Sequence, residues 1–151
     1  MPAADQSSRR RKIVGTVLVA VLAGVLIAIV VVRNTGEKVV NAGGDTLVLV
    51  DQKTRGGMDA LGGGTLADVG GCLGWAPAPG STQGTVVIWP HGTNVETPDP
   101  LRVRIDGKVY ELGDSIRIGG GNTGRLEPSS YFYDRVPKGC RTANVFLANN
   151  G

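Results

Sequence analysis

The sequence is poor in the residues from which most catalytic and metal sites are built. It contains one histidine, His91, and two cysteines, and only 5% of its residues are aromatic. A zinc site needs three or four ligands at a recognisable spacing, and no such spacing occurs. A serine nucleophile would have to use His91 as its base, and no Gly-x-Ser-x-Gly elbow is present. The sequence therefore predicts no catalytic residues, no metal site and no cofactor.

The chain also lacks a basic region outside its N-terminus. Residues 1–12 carry four cations and one anion, and Arg33 adds another cation. Residues 34–151 carry eleven cations and twelve anions, so they are almost neutral. Nucleic-acid binding is driven by many cations that neutralise phosphates. This charge distribution therefore predicts no DNA or RNA partner.

One long hydrophobic run is present near the N-terminus. Residues 13–32, from Ile13 to Val32, contain no charge, and fourteen of the twenty are Val, Leu or Ile. A helix of this length spans about 30 Å, the thickness of the hydrocarbon core of a bilayer. A cleaved signal peptide is the alternative, but its apolar region is usually about 7 to 15 residues long and ends in small residues. We therefore predict a single-pass transmembrane helix that acts as an uncleaved signal anchor.

The residues beside this span predict its orientation. Arg9, Arg10, Arg11 and Lys12 precede it, whereas the nearest cations after it are Arg33 and Lys38. By the positive-inside rule, residues 1–12 form a cytoplasmic basic tail in contact with the lipid bilayer, and the C-terminal domain is extracellular.

Small residues recur every four positions within the span, at Ala20, Gly24 and Ala28. Such a stripe lets two helices approach closely in the bilayer. It predicts a helix–helix contact and a possible homo-oligomer.

The stretch after the span is rich in glycine. Residues 33–71 are interrupted by Gly43-Gly44, Gly56-Gly57, Gly62-Gly63-Gly64 and Gly70-Gly71. Because repeated glycines break helices and strands, we predict a flexible linker over this range. Residues 46–50, Thr-Leu-Val-Leu-Val, are the exception: they are either a strand of the domain or an apolar patch in the linker.

From Cys72 onward, short apolar stretches alternate with turn residues, which assigns residues 72–151 to an extracytoplasmic β domain. The clearest signal is Asp106-Gly107 between two alternating stretches, a pair typical of a type I′ hairpin because both positions need positive φ. Further strands are predicted at residues 85–89, 115–118, 131–133 and 144–148, with Gly119–Gly121 ending the second of them. Four to six short strands without an amphipathic helix predict a small all-β domain, either an OB- or SH3-like barrel or a sandwich.

Cys72 and Cys140 both lie on the predicted outer side of the membrane, where an oxidising compartment lets a disulfide persist. A bridge would join the start of the domain to its end. In the chain-entropy model, closing a loop of about 67 residues contributes on the order of 4 kcal/mol.

Several short motifs follow one another between the two cysteines: Trp89-Pro90-His91-Gly92-Thr93, then Leu112-Gly113-Asp114, then the glycine triplet 119–121. This series resembles small extracytoplasmic domains of uncharacterised, membrane-anchored actinobacterial proteins, over about residues 70–148. The resemblance implies an extracytoplasmic location and a compact β fold, and it implies no activity.

Trp89, His91, Tyr131 and Tyr133 are the candidate binding surface. The two tyrosines project to one side if they lie on a strand, and with Trp89 they could form an aromatic platform for a sugar or a partner chain. Core packing is the alternative for these residues, and a turn histidine is the alternative for His91.

We therefore predict a non-enzymatic, membrane-anchored binding module, with an envelope protein or cell-wall glycan as its partner. A structural subunit of a membrane complex is one alternative, and a cell-wall-directed enzyme is the other.

Overall fold

The computed structural model of the protein describes residues 36–53 and 58–149, which from Glu37 onward form one β-rich unit. Its ten strands are Lys38–Asn41 (β1), Leu47–Val50 (β2), Ala60–Val69 (β3), Cys72–Trp75 (β4), Thr85–Trp89 (β5), Asn94–Pro98 (β6), Leu101–Ile105 (β7), Lys108–Glu111 (β8), Ser115–Gly124 (β9) and Asn144–Asn149 (β10). A 3-10 turn, Tyr133–Arg135, and a five-residue helix, Lys138–Thr142 (α1), lie between β9 and β10. The prediction of a small all-β domain is confirmed.

The predicted basic tail, the span at residues 13–32 and its stripe Ala20, Gly24 and Ala28 lie outside the described residues. Across the ranges 36–53 and 58–149, none of the helices has the length and apolar character needed to cross a membrane.

Hydrogen bonding closes the main sheet on itself. Seven strands follow the order β1-β2-β4-β3-β9-β10-β5, and β5 also pairs with β4 and β2. β4 and β5 pair at Gly74–Val86 and Trp75–Thr85. β2 then runs parallel to both strands, bonding first to β4 and further along to β5. The closed circuit places the ends of β2 and β5 side by side.

Two apolar clusters lie on opposite faces of this sheet, because successive strand residues point to opposite sides. In β5, Val87 and Trp89 belong to the first cluster, while Val86 and Ile88 belong to the second. β2 and β10 divide their residues between the clusters in the same way. Strands buried on both faces read as continuous apolar runs, which explains the unbroken stretches at residues 47–50 and 145–148.

The linker predicted over residues 33–71 is wrong for the described part of that range, which contains β1, β2 and β3. Of the two alternatives for residues 46–50, a strand of the domain is confirmed, because Leu47–Val50 form β2. The glycines of β3 are required by packing: a Cβ atom on Gly62 would lie 2.5 Å from Cε2 of Phe146 and 2.7 Å from Cη2 of Trp75. Real Cβ contacts are never this short, so only glycine lets these rings approach the strand.

The second glycine-rich prediction is also wrong. Gly119–Gly121 was expected to end a strand, but β9 continues through the triplet to Gly124. A Cβ atom on Gly120 would lie 2.5 Å from Cε1 of Phe146, so the triplet also serves close packing against β10.

The hairpin prediction is confirmed. Asp106 and Gly107 have φ values of 47° and 75°, and they connect β7 to β8. With β6 these strands form a separate three-stranded sheet. Leu101, Val103 and Ile105 are buried in the first cluster, whereas Arg102 and Arg104 are exposed.

The strand predicted at residues 131–133 is absent, and a turn stands in its place. The amide of Tyr133 donates to the Ser130 carbonyl (3.1 Å), and that of Arg135 donates to the Phe132 carbonyl (2.9 Å). Phe132 is buried while both flanking tyrosines remain partly exposed. A single buried aromatic between exposed ones suits a turn as well as it suits a strand, so the triplet pattern was ambiguous.

Candidate functional site

Residues 125–143 connect β9 to β10 and are called the strap. Its apolar residues are buried against one face of the sheet in the second cluster: Leu126, Phe132, Val136, Cys140 and Ala143. The predicted disulfide is confirmed, since Cys140 is bonded to Cys72 with their Cα atoms 5.8 Å apart. The strap is therefore held by both a covalent link and an apolar contact.

Two glycines make this attachment possible. A Cβ atom on Gly139 would lie 2.6 Å from the carbonyl oxygen of Gly70 and 2.7 Å from its Cα. Gly139 directly precedes Cys140, and Gly70 lies two residues before Cys72. The backbone of α1 can therefore rest on the β3–β4 turn at the distance that the disulfide requires.

The strap carries two tyrosines, each with an arginine over its ring; Tyr131 is exposed, whereas Tyr133 is half-buried and packs against the second cluster. The guanidinium carbon of Arg135 lies 4.0 Å from the centroid of Tyr131, and that of Arg141 lies 5.2 Å from the centroid of Tyr133. Arg135 also donates from Nη1 to the Tyr131 carbonyl (2.6 Å), and Arg141 donates from Nε to the Val136 carbonyl (3.1 Å). These contacts hold the rings and cations in place. Tyr131, Tyr133, Arg135 and Arg141 together are called the tyrosine–arginine face.

The third aromatic residue of the predicted platform lies elsewhere. Trp89 is fully buried in the first cluster, and its indole N–H donates to the carbonyl of Leu73 at 3.3 Å. It cannot belong to an exposed surface, so of the predicted platform only the two tyrosines remain, two residues apart on the strap. The physical reason is that Trp89 occupies an inward position of β5, where it fills the core.

His91 lies at the end of the sheet, two residues after β5. The parallel register of β2 and β5 pairs Val50 with Trp89, and the amide of Asp51 donates to the Trp89 carbonyl at 2.8 Å. Asp51 therefore lies next to the Trp89–His91 segment. The antiparallel register of β1 and β2 pairs Lys38 with Val50, which places Glu37 opposite Asp51.

The two carboxyl groups of this corner resist ionisation. Burial raises the pKa of Asp51 above its ordinary value of 3.8, while the hydrogen bond from the Gln52 amide and the proximity of His91 partly oppose the rise. Burial also raises the pKa of Glu37, the negative charge of Asp51 raises it further, and Arg135 lowers it. Arg135 thus links this acidic corner to the tyrosine–arginine face by charge.

The acidic corner is not arranged as a metal centre. In the part of the chain that the structure describes, no three His, Cys, Asp or Glu side chains are grouped closely enough to hold a metal ion. Instead, two carboxyl groups with raised pKa values lie near one histidine and one arginine, whose charges lower those pKa values.

A groove of about 500 Å³ lies on the paired strands β3 and β9. Gly63 forms its floor opposite Arg117, and Thr65 and Ser115 form another cross-strand pair. Leu61 lies at one end and is 69% exposed.

Sequence reasoning found the two tyrosines and His91 but missed Glu37, Asp51, Arg135 and Arg141. The parallel pairing of β2 with β5 creates the acidic corner, and a single sequence contains no signal that predicts such pairing. The spacing Tyr131–Arg135 could have been noticed, since the i, i+4 separation brings side chains together wherever the chain turns helically.

Comparison with protein-family models, curated proteins and solved structures finds no match for this chain.

Proposed function

We propose that this protein is a membrane-anchored, non-enzymatic binding module of the cell envelope, and that the tyrosine–arginine face is its binding surface. Residues 13–32 form the anchor, residues 1–12 lie in the cytoplasm, and the β domain lies outside the cell. The pairing of Arg135 with Tyr131 and of Arg141 with Tyr133 on a disulfide-held strap is the observation that carries the proposal.

Tyrosine and arginine are the residues most enriched where binding energy concentrates in protein interfaces. Each ring of this face is already ordered by its arginine, so a partner would not have to immobilise both side chains. The guanidinium groups favour carboxylates and aromatic rings on the other side. A protein of the envelope with acidic and aromatic surface groups is the partner that this chemistry fits best.

The closed hydrogen-bonding circuit supports a barrel over a sandwich for the domain, since β5, the last strand in the order of the main sheet, also pairs with β4 and β2. A barrel gives the strap a stiff support. The OB- or SH3-like assignment and the resemblance to actinobacterial membrane-anchored proteins stay predictions.

Site-specific photo-cross-linking in intact cells tests the proposal. A photoreactive amino acid replaces Tyr131 in the full-length protein. A matched chain carries it at Leu112, an exposed residue directly after β8. We expect a discrete protein adduct from position 131 and none from position 112. Arg135→Ala in the first chain should reduce the yield, because the aromatic side chain at position 131 loses the guanidinium that lies over it and the partner loses one of its contacts.

Equal capture from both positions would contradict the proposal. An unchanged adduct yield in the Arg135→Ala chain would contradict it as well. Turnover of a wall-derived substrate by the purified protein, abolished by His91→Ala, would establish the enzyme reading instead.

The alternative of a structural subunit in a membrane complex rests on the small-residue stripe of the span. Gly24→Ile should then dissociate a detergent-stable assembly, measured as native mass. An unchanged mass would remove this alternative.

A further inference from the structure

A second cleft, of about 320 Å³, lies where β5 and β10 begin and β9 ends. It is lined by Thr85, Asn122, Gly124 and Asn144. β10 pairs in parallel with β5 at Asn144–Thr85 and antiparallel with β9. The lining residues therefore all stand on paired strands, which fix positions better than loops do.

The two asparagines of this cleft differ from the others that the structure describes. Asn41 accepts a hydrogen bond from a backbone N–H through Oδ1, whereas Asn94 and Asn149 donate from Nδ2 to backbone carbonyls, all at 2.8 to 2.9 Å. Over residues 36–53 and 58–149, the side chains of Asn122 and Asn144 make no hydrogen bond to the protein. Their amide groups are therefore available to a ligand.

The backbone opens the cleft further. The register of β9 and β10 shifts between Val145 and Phe146, and the Thr123 hydroxyl donates to the Val145 carbonyl at this bulge (3.4 Å). Bulges of this kind change the direction of neighbouring side chains and are common next to functional sites. Gly124 has φ +85°, and a Cβ atom there would meet nothing within 4 Å. A ligand can therefore approach the backbone directly at this position.

The chemistry of the lining selects a class of ligand. Two carboxamides and one hydroxyl supply both donors and acceptors, and none of the four lining residues carries a charge. A charged ligand would lose hydration here without gaining an ion pair. Vicinal hydroxyl groups donate and accept at once, which matches the two carboxamides that line the cleft. We propose that this cleft binds a neutral, polyhydroxylated ligand, a carbohydrate. The proposal does not depend on the tyrosine–arginine face.

Nuclear magnetic resonance titration of the full-length protein tests it. The protein is held in micelles of a zwitterionic phosphocholine detergent, because a glycoside detergent would itself present a sugar. The probes are tetra-N-acetylchitotetraose and maltotetraose. We expect the side-chain amide signals of Asn122 and Asn144 to shift and saturate with at least one probe. This readout uses the unmodified protein and requires no variant to fold.

Asn122→Asp and Asn144→Asp keep the shape of the side chain but replace the donor with a charged acceptor. Each should weaken binding by about tenfold, the loss expected for one hydrogen bond. Asn94→Asp on β6 makes the same chemical change outside the cleft; it is the control and should bind the probe as the unmodified protein does. The proposal is overturned if neither probe moves these amide signals, or if both aspartate variants retain full affinity.

Discussion

Gly62→Ala tests whether the glycines of residues 60–64 serve packing. The new methyl group would have to lie 2.5 Å from Cε2 and Cζ of Phe146 and 2.7 Å from Cη2 of Trp75. These two rings already pack against each other, with centroids 4.8 Å apart. Neither ring can withdraw without disturbing the first cluster, so the substitution should overpack the core.

The magnitude follows from comparable core substitutions. Extra methyl groups in a well-packed core cost about 1 to 3 kcal/mol. In a flexible linker the same substitution would leave the free energy of unfolding unchanged, because the residue would be equally free in the folded and the unfolded chain. The packing argument therefore predicts a loss of stability where the linker interpretation predicts none.

Urea unfolding of the full-length protein in detergent micelles measures this change, with the fluorescence of the buried Trp75 and Trp89 as the signal. A loss of about 2 kcal/mol lowers the midpoint by roughly 1 M for a small domain. Thr65→Ala, at an exposed position of the same strand, is the control and should leave the midpoint unchanged. An unchanged or higher midpoint for Gly62→Ala would refute the packing argument.

A double substitution locates the cause. Phe146→Leu shortens the ring that the new methyl group meets, so Gly62→Ala should cost less in its presence than alone. Contacting residues show coupling energies of about 0.5 to 3 kcal/mol. Additive effects would mean that Phe146 is not the obstacle.

Three further predictions concern the strap and the acidic corner. Reduction of the Cys72–Cys140 bond, which joins residues 68 positions apart, should lower the free energy of unfolding by about 4 kcal/mol, and equal urea midpoints with and without reductant would contradict this. Gly139→Ala should lower stability by about 1 to 3 kcal/mol, because the Cβ atom would meet the Gly70 backbone; an unaltered urea midpoint would exclude that contact. Asp51→Asn should raise the melting temperature at pH 7 and have little effect below pH 3.8. Burial raises the folded-state pKa of Asp51, so its stabilising contribution is complete below its ordinary value of 3.8 and is lost as the pH rises through the folded value. Calorimetry at both pH values checks the sign, and a lower melting temperature at pH 7 would reverse the argument.

The local features of the fold were predictable because they depend on neighbouring residues. Asp106-Gly107 supplies two positions that accept positive φ, and the alternation of Leu101, Val103 and Ile105 gives one buried face, so β7 and its turn follow directly. The two cysteines could pair in only one way within the chain. Residues 85–89 and 144–148 were likewise assigned correctly as strands.

The errors have a common physical origin. Repeated glycines have the same appearance in a flexible linker and in a strand that approaches an aromatic ring, and only the position of Phe146 and Trp75 distinguishes the two. Similarly, Trp89 suits a binding platform and a core equally well as long as the inward face of β5 is not known. These residues were misjudged because the deciding contact comes from a distant part of the chain.

The sequence alone determined the β class of the domain, its central hairpin and the single possible disulfide, since propensity, turn chemistry and cysteine number are local properties. The tertiary structure decided that β1, β2 and β3 belong to the domain, that Asp51 and Glu37 meet beside His91, and that Asn122 and Asn144 face one cleft. Those relations depend on strand order and on parallel pairing between residues far apart in the chain. Such pairing is selected by the packing of the whole domain, so no short segment of the sequence encodes it.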